Sequence, residues 1–226
     1  HLRGPSVDAL QEVFADDWCF ATGEDLARRP YFGAAVADRR PPTDLPDAED
    51  PDALCGVIAS GPDNRHNLTH DAFFLAITQA KERIWLVTPY FIPSPTLLVA
   101  LRTSVMRGVD VRLLLPGKSD VPLVRHAGHG FFTELLDAGV TIFEYEASVL
   151  HAKSVVVDGY VSVVGSTNMD YRSFHWNAEC NLVILSAPVA ERMRAAFESD
   201  LQVSWPIDVD ARRARPLRHR AGDRLA

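Results

Sequence analysis

The sequence predicts an α/β fold: a mixed, largely parallel β-sheet flanked by helices on both faces, in an α/β/α sandwich. Three observations carry this. Short apolar runs alternate with helical-period segments between residues 54 and 145, the pattern of successive βαβ units. A helix–Gly–Val–strand step occurs at Gly108-Val109 and again at Gly139-Val140, and a glycine there ends a helix by adopting the left-handed conformation. Asp158-Gly159 then separates two valine-rich runs, a two-residue hairpin signal that makes the sheet mixed.

The elements follow in order. Pro5 precedes Val7, Leu10, Val13, Phe14 and Trp18 at helical spacing, so residues 5–21 read as an amphipathic helix. Residues 38–53 hold four prolines and six acids and read as a loop or disordered insert. Residues 54–60 form a strand and 70–82 a helix. Arg83–Thr88 is a buried strand that stops at Pro89, because proline gives no N–H to a ladder. Helix 95–107, strand Val109–Leu115, helix 122–138 and strand Val140–Tyr145 come next. Lys153–Val157 and Tyr160–Val164 form the hairpin, with Val157 opposite Tyr160, Val155 opposite Ser162, Lys153 opposite Val164 and His151 opposite Ser166. Residues 179–185 add a strand. Residues 187–203 add a helix, with Ser186 as its capping start. Residues 204–226 read as a basic tail.

The 226 residues are 47% hydrophobic and 23% charged, which allows one large core or two small ones. A net charge of −7 argues against nucleic acid as a partner, since phosphate binding needs clustered Lys and Arg. Arg212, Arg213, Arg215, Arg218, Arg220 and Arg224 cluster in the tail beside Asp223, and without these seven residues the chain carries −12. A basic tail on an acidic body suits anionic lipid at a membrane surface. The alternatives are a solvated helix face or a tail docked on its own domain. Cys19, Cys55 and Cys180 have no metal or redox spacing and read as three buried thiols in a reducing compartment. No apolar run approaches the roughly 20 residues that span a bilayer. There is no signal peptide, and His1 in place of Met suggests a piece of something longer. His126 and His129 stand at i, i+3 on a predicted helix without an evident acid or third ligand, and His66 and His70 read as loop and helix-start residues. No metal is expected.

The chemistry concentrates in His151-x-Lys153-x4-Asp158-x6-Gly165-Ser166-x-Asn168. Six fixed positions at this spacing arise by chance on the order of a few times per million chains of this length. His151 is the candidate nucleophile or proton donor, because imidazole titrates near neutrality. Lys153 shares its face of the strand and clamps growing charge on phosphate oxygens. Ser166 and Asn168 are donors to the same oxygens, and Gly165 allows close backbone approach. Asp158 completes the motif. Its position at the turn tip suits holding the hairpin rather than direct chemistry, and both roles stay open. Glu179, 28 residues after His151, is the carboxylate expected to orient it through Nδ1. Arg172 and Asn177 either shape the pocket or pack their loop. Tyr90, Phe91, Ile92 and Phe174 line an acyl or glycerol pocket or join the core.

These residues resemble the phospholipase D superfamily. The stretches Thr88-Pro-Tyr-Phe-Ile-Pro93, Arg107-Gly-Val-Asp-Val-Arg-Leu-Leu-Leu-Pro116 and Asp170-Tyr-Arg172-Ser-Phe174 with Asn177-Ala-Glu179 are similar to the carboxy-terminal half of bacterial cardiolipin synthases. The resemblance spans nearly the whole chain and implies one lobe, 1–226, of a phosphatidyltransferase. One phosphatidylglycerol gives its phosphatidyl group to a histidine, and a second accepts it, yielding cardiolipin and glycerol without metal or other cofactor. It also implies two copies of the motif per active centre, one imidazole attacking and the other protonating the leaving alcohol. Only one copy is present here, so the missing amino-terminal half or a second copy of the chain is an implied partner. The isolated chain is expected to be inactive, and the parent enzyme to sit on the cytoplasmic face of the cell membrane. The competing readings are a dimeric single-motif phosphodiesterase and a non-catalytic scaffold lobe.

Overall fold

The computed structural model describes residues 2–26, 50, 52–64, 66–119, 121–208 and 210. The chain runs α1 (Ser6–Thr22), β1 (Leu54–Ser60), α2 (Leu68–Gln79), β2 (Arg83–Val87), β3 (Phe91–Ile92), α3 (Pro95–Met106), β4 (Asp110–Pro116), α4 (Pro122–Ala138) and β5 (Thr141–Tyr145). It continues through β6 (Ser154–Val157), β7 (Val161–Gly165), β8 (Met169–Asp170), α5 (Tyr171–His175), β9 (Glu179–Leu185), α6 (Ala187–Leu201) and β10 (Ser204–Pro206).

Eight strands form one sheet in the order β1–β9–β7–β6–β2–β4–β5–β10, and β3 pairs with β8 beside it. Parallel pairing joins β2 to β4 and β4 to β5, the two βαβ units read from the repeated glycine step. The remaining pairs of the large sheet are antiparallel. Five strands (β1, β2, β4, β5 and β7) consequently run one way and three run the other.

Strand β2 explains why its sequence is apolar without alternation. Ile84 and Leu86 face a core built with Phe73 and Ile77 of α2, Leu97 and Leu101 of α3, and Phe132 and Leu135 of α4. Trp85 and Val87 face a second core with Leu114, Leu150 and Phe197 of α6. The Trp85 and Phe197 rings stack at 5.1 Å and 25°. A strand covered on both faces reads as a continuous hydrophobic run. Each such side chain contributes about 1.5–3 kcal/mol on full burial.

Helix ends follow the expected chemistry. Asn67, Ser94 and Ser186 accept hydrogen bonds from the backbone N–H groups of His70, Leu97 and Val189 at the starts of α2, α3 and α6. Gly139 is left-handed at φ 97° and closes α4.

Four expectations need correction. First, the hairpin register differs by one residue: Val157 pairs with Val161, Val155 with Val163 and Ser154 with Val164. Asp158 and Gly159 both take positive φ, and the Tyr160 N–H still donates to Val157 O (3.1 Å), so the tight turn forms as read. Tyr160 is then extra, a bulge that shifts every later pair. Second, the tail does not begin at 204. Ser204–Pro206 form the edge strand β10 against β5, and Ser204 is buried. Third, Cys19 is exposed and Cys55 and Cys180 are half-buried, so the thiols are free but not core. Fourth, His129 does have an acid partner, Glu144 of β5, at 3.3 Å. The acidic stretch 38–53 lies outside the described residues except at 50, 52 and 53, and so does the arginine cluster.

Candidate functional site

The strand directions put the carboxyl ends of β1, β2 and β7 at the same edge as the amino ends of β6 and β9. Thr88–Tyr90, His151–Lys153, Ser166–Asn168 and Glu179 all leave the sheet there. Ligands of α/β sheets bind outside strand carboxyl ends because loops can converge there without breaking the ladder.

His151 is exposed, just ahead of β6. Its ring meets Tyr90 edge-on, at 6.2 Å and 79°. Lys153 is half-buried, and its ammonium donates to the His151 carbonyl oxygen at 2.8 Å. The cation is thereby tied to the main chain of His151 at the rim. The Gly165 N–H donates to Lys153 O at 3.4 Å, so Lys153 stands opposite Gly165 rather than Val164. Ser166 is anchored on β9: its N–H donates to Cys180 O (3.0 Å), and its Oγ accepts from the Cys180 N–H (3.0 Å). The same hydroxyl donates to Glu179 Oε2 in a short hydrogen bond.

Glu179 is buried at 7% exposure, as expected for an acid with partners. Those partners are Ser166 and Asn177, whose Nδ2 donates to Oε1 at 3.2 Å. No hydrogen bond joins it to His151 among the described residues, which corrects the orienting role read from the sequence. The sheet order gives the reason: β7 lies between β9 and β6, so a carboxylate at the start of β9 meets Ser166 first.

Asn168 follows. Its backbone N–H and its Nδ2 both reach Ser173 Oγ, at 3.1 and 3.3 Å. Thr167 and Asn181 bond each other through Nδ2 and Oγ1 at 2.7 Å. Asp170 caps α5, accepting from the Ser173 N–H at 2.8 Å. Burial pushes the Asp170 carboxyl above its ordinary range. The Ser173 and Arg172 N–H groups oppose this, while the nearby Glu179 charge adds to it. Asp170 and Ser173 were not singled out from sequence. The available signal was a capping Asp two residues past Asn168, at the start of a short helical segment.

The remaining candidates separate. Asp158 sits at the far end of β6, about 20 Å of strand from His151 at ~3.3 Å per residue. Its two oxygens accept from the backbone N–H groups of Lys81 (2.9 Å), Glu82 (2.8 Å) and Arg83 (3.0 Å). Burial works against its charge, but the Arg83, Glu82 and Lys81 donors outweigh it and hold the carboxyl below its ordinary value. Asp158 is thus a hairpin anchor and is removed from the catalytic set. Phe91 is 3% exposed within the main core and is removed from the substrate-binding set, as is Phe174 from the pocket lining. Gly165 is required by its neighbour strand: a Cβ there would stand 2.3 Å from Asn181 Oδ1 and 2.4 Å from Cys180 O. That packing replaces the substrate-approach role. Tyr90 stays at the site through its contact with His151. Arg172 is exposed on α5, and Asn177 holds Glu179.

His70 adjoins this region, with Nε2 2.9 Å from Ser94 Oγ and its ring edge-on to Phe174 at 5.1 Å. Burial lowers its pKa below 6.5, against the raising effect of Asp71. Among the described residues no three His, Cys, Asp or Glu side chains converge on a metal position, and no helix is long and apolar enough to cross a membrane.

The family model "Cardiolipin synthase, PLD-like domain" matches residues 74–201. The chain is 36% identical over 220 residues to the cardiolipin synthase of Alkalihalophilus pseudofirmus, covering 97% of this chain and 42% of that protein. It is 39% identical over 222 residues to cardiolipin synthase 2 of Bacillus anthracis, covering 97% of this chain and 41% of that one. The chain therefore spans about two fifths of the length of these relatives. In fold it is similar to the crystal structure of Nuc, a phospholipase D family member from Salmonella typhimurium. That likeness has a TM-score of 0.59 at 20% identity and covers 69% of this chain and 98% of Nuc. The mixed sheet, with its His–Lys–Ser–Asn group at the carboxyl edge, is that of a phospholipase D-like lobe. Within that class, the chain belongs to the cardiolipin synthase, PLD-like domain family.

Proposed function

We propose that this chain is one half-site of a phosphatidyltransferase of phospholipid biosynthesis, acting on phosphatidylglycerol at the cytoplasmic face of the cell membrane. The observation that carries the reading is His151, exposed beside Lys153 at the sheet edge, in a chain that aligns over 97% of its length with cardiolipin synthases. In the first step an imidazole attacks phosphorus. The phosphorus–glycerol oxygen bond breaks, and the leaving alkoxide takes a proton from a second imidazole. In the second step the terminal hydroxyl of another phosphatidylglycerol gives its proton back and attacks the phosphohistidine. The phosphorus–nitrogen bond breaks, and the net products are cardiolipin and glycerol. His151 fills one of these two imidazole roles. Lys153 and Asn168 carry the negative charge that grows on the non-bridging oxygens. Glu179 holds Ser166 in place beneath them.

The other imidazole comes from a partner lobe, either an amino-terminal half or a second copy of the chain. Nucleic acid is outside the substrate class, on the net charge of −7.

The test is reconstitution on phosphatidylglycerol vesicles, with the chain alone and with the amino-terminal lobe of the Bacillus anthracis relative. The chain alone forms negligible cardiolipin. The pair forms cardiolipin and glycerol in equal amounts, and His151→Ala reduces this at least about 1,000-fold without loss of stability. Robust turnover by purified monomeric chain, or by the His151→Ala pair, refutes the proposal.

A further inference from the structure

Three aromatic rings stand together outside the sheet, at the edge where His151 emerges. Tyr171 is 50% exposed and Trp176 64%, and His175 is exposed with them. The Tyr171 ring meets His175 at 4.2 Å and Trp176 edge-on at 5.5 Å. Their scaffold is fixed. Phe174 lies in the main core, edge-on to Phe73 at 5.9 Å, and Asp170 caps the helix by accepting from the Ser173 N–H. The short helix α5 therefore buries Ser173 and Phe174 and presents the three rings to solvent. At the same edge Val149, two residues before His151, is 58% exposed. Apolar surface gathered on an ordered scaffold belongs to an interaction site, unlike single exposed residues.

Two occupants suit such a surface: a second lobe, or the headgroup layer of a bilayer. Charge and residue type favour the bilayer. The chain carries −7, yet residues 147–153 and 171–178 hold Lys153, Arg172, His151 and His175 and no acid. The acids flanking the second segment, Asp170 and Glu179, are both buried. A locally cationic rim on an acidic body complements an anionic surface. A second copy of the chain would bring a like-charged rim against it. Trp and Tyr, each an apolar body with a polar tip, concentrate at headgroup depth. That is also the depth of a phospholipid's phosphodiester.

We infer that Tyr171, Trp176 and Val149, with Arg172 and His175 beside them, dock this edge of the chain onto the interface of an anionic bilayer. His151 then faces the lipid phosphates. The lipid's charge rests on the phosphatidylglycerol reading above, and the test separates docking from turnover.

The full chain is labelled with 5-fluorotryptophan at its four tryptophans. It is added to mixed phosphatidylglycerol and phosphatidylcholine vesicles that carry a headgroup spin label. The Trp176 fluorine signal broadens, and that of buried Trp85 does not. A Trp176 signal untouched on the bound chain overturns the inference, as does a chain that fails to bind. Vesicles of phosphatidylcholine alone bind more weakly, by about fivefold for each cationic side chain at the surface; equal binding to both overturns it. In the double variant Tyr171→Ser, Trp176→Ser, vesicle affinity falls at least about tenfold with Tm unchanged. Unchanged affinity assigns binding to other parts of the chain and overturns the inference. In the reconstituted pair, the double variant loses turnover on vesicles and keeps it on monodisperse short-chain phosphatidylglycerol. Equal loss on both assigns the rings to the second lobe and overturns the inference. A wild-type pair inactive on both substrates, with docking intact, refutes the proposed function alone. An active pair whose chain does not dock through these rings refutes the docking alone.

Discussion

Asp158 separates anchoring from chemistry, so its replacement has a calculable outcome. In Asp158→Ala three backbone N–H groups, of Lys81, Glu82 and Arg83, lose their acceptor. A net hydrogen bond is worth about 0.5–1.5 kcal/mol, and water reaches this half-exposed turn, so the low end applies: about 1.5 kcal/mol for the three. Asp158 also sits at φ 51°, where alanine costs about 1 kcal/mol more. The expected loss is about 2.5 kcal/mol, or a fall of roughly 5–10 °C in Tm for a chain of this size. Asp158→Asn keeps one oxygen and tolerates the left-handed backbone, so it loses about 1 kcal/mol. Melting followed by circular dichroism at neutral pH reads both. Acid gives a second check. The folded carboxyl titrates below its ordinary 3.8, so its contribution is complete above that pH and disappears as pH falls through the lower folded value. The gap between wild type and Asp158→Ala narrows there. Turnover of either variant in the reconstituted pair, measured well below its Tm, stays within a few-fold of wild type. An Asp158→Asn chain that melts like wild type yet loses turnover would return this residue to the chemistry.

Two further outcomes follow from packing and charge. Gly165→Ala pushes a Cβ to 2.3 Å from Asn181 Oδ1, 2.4 Å from Cys180 O and 2.6 Å from Asn181 Cα. It should lose about 3 kcal/mol in urea unfolding, and a wild-type midpoint would contradict the strand-contact account. Glu144 is half-buried, which raises its pKa, but hydrogen bonds and charge from His129 and Arg125 bring the net shift below the ordinary 4.5. Glu144→Gln therefore destabilises by about 2 kcal/mol at neutral pH. The deficit is complete above pH 4.5 and shrinks as pH falls through the folded value, and a deficit unchanged across that window would contradict this assignment.

Much of the fold was legible because its signals are local. The bounds of β1, α4 and β9 were read directly from the chain, and the repeated glycine step gave the β2–β4–β5 parallel block. Ser186 was legible as a cap because capping involves only a residue and the N–H groups three positions on. The His151–Asn168 motif was legible for the same reason, since both flanks of one hairpin return to the same end of the sheet. The register was not. A single bulged residue, Tyr160, has no marker in Asp158-Gly159, because the turn closes identically with or without it.

The sequence by itself determined the alternation of strand and helix and the edge at which His151, Lys153, Ser166 and Asn168 emerge, since periodicity and turn chemistry act over a few residues. Tertiary structure alone decided which groups meet across that edge. Glu179 binds Ser166 because β7 separates β9 from β6. Phe91 turns into the core because β3 lies against α4, with its carbonyl at Gly128. Asp170 and Ser173 join the site because β8 pairs with β3 and delivers α5 to Asn168. Each of these is set by which strand lies beside which, a choice made by burial of surfaces far apart in the chain and therefore absent from any local pattern.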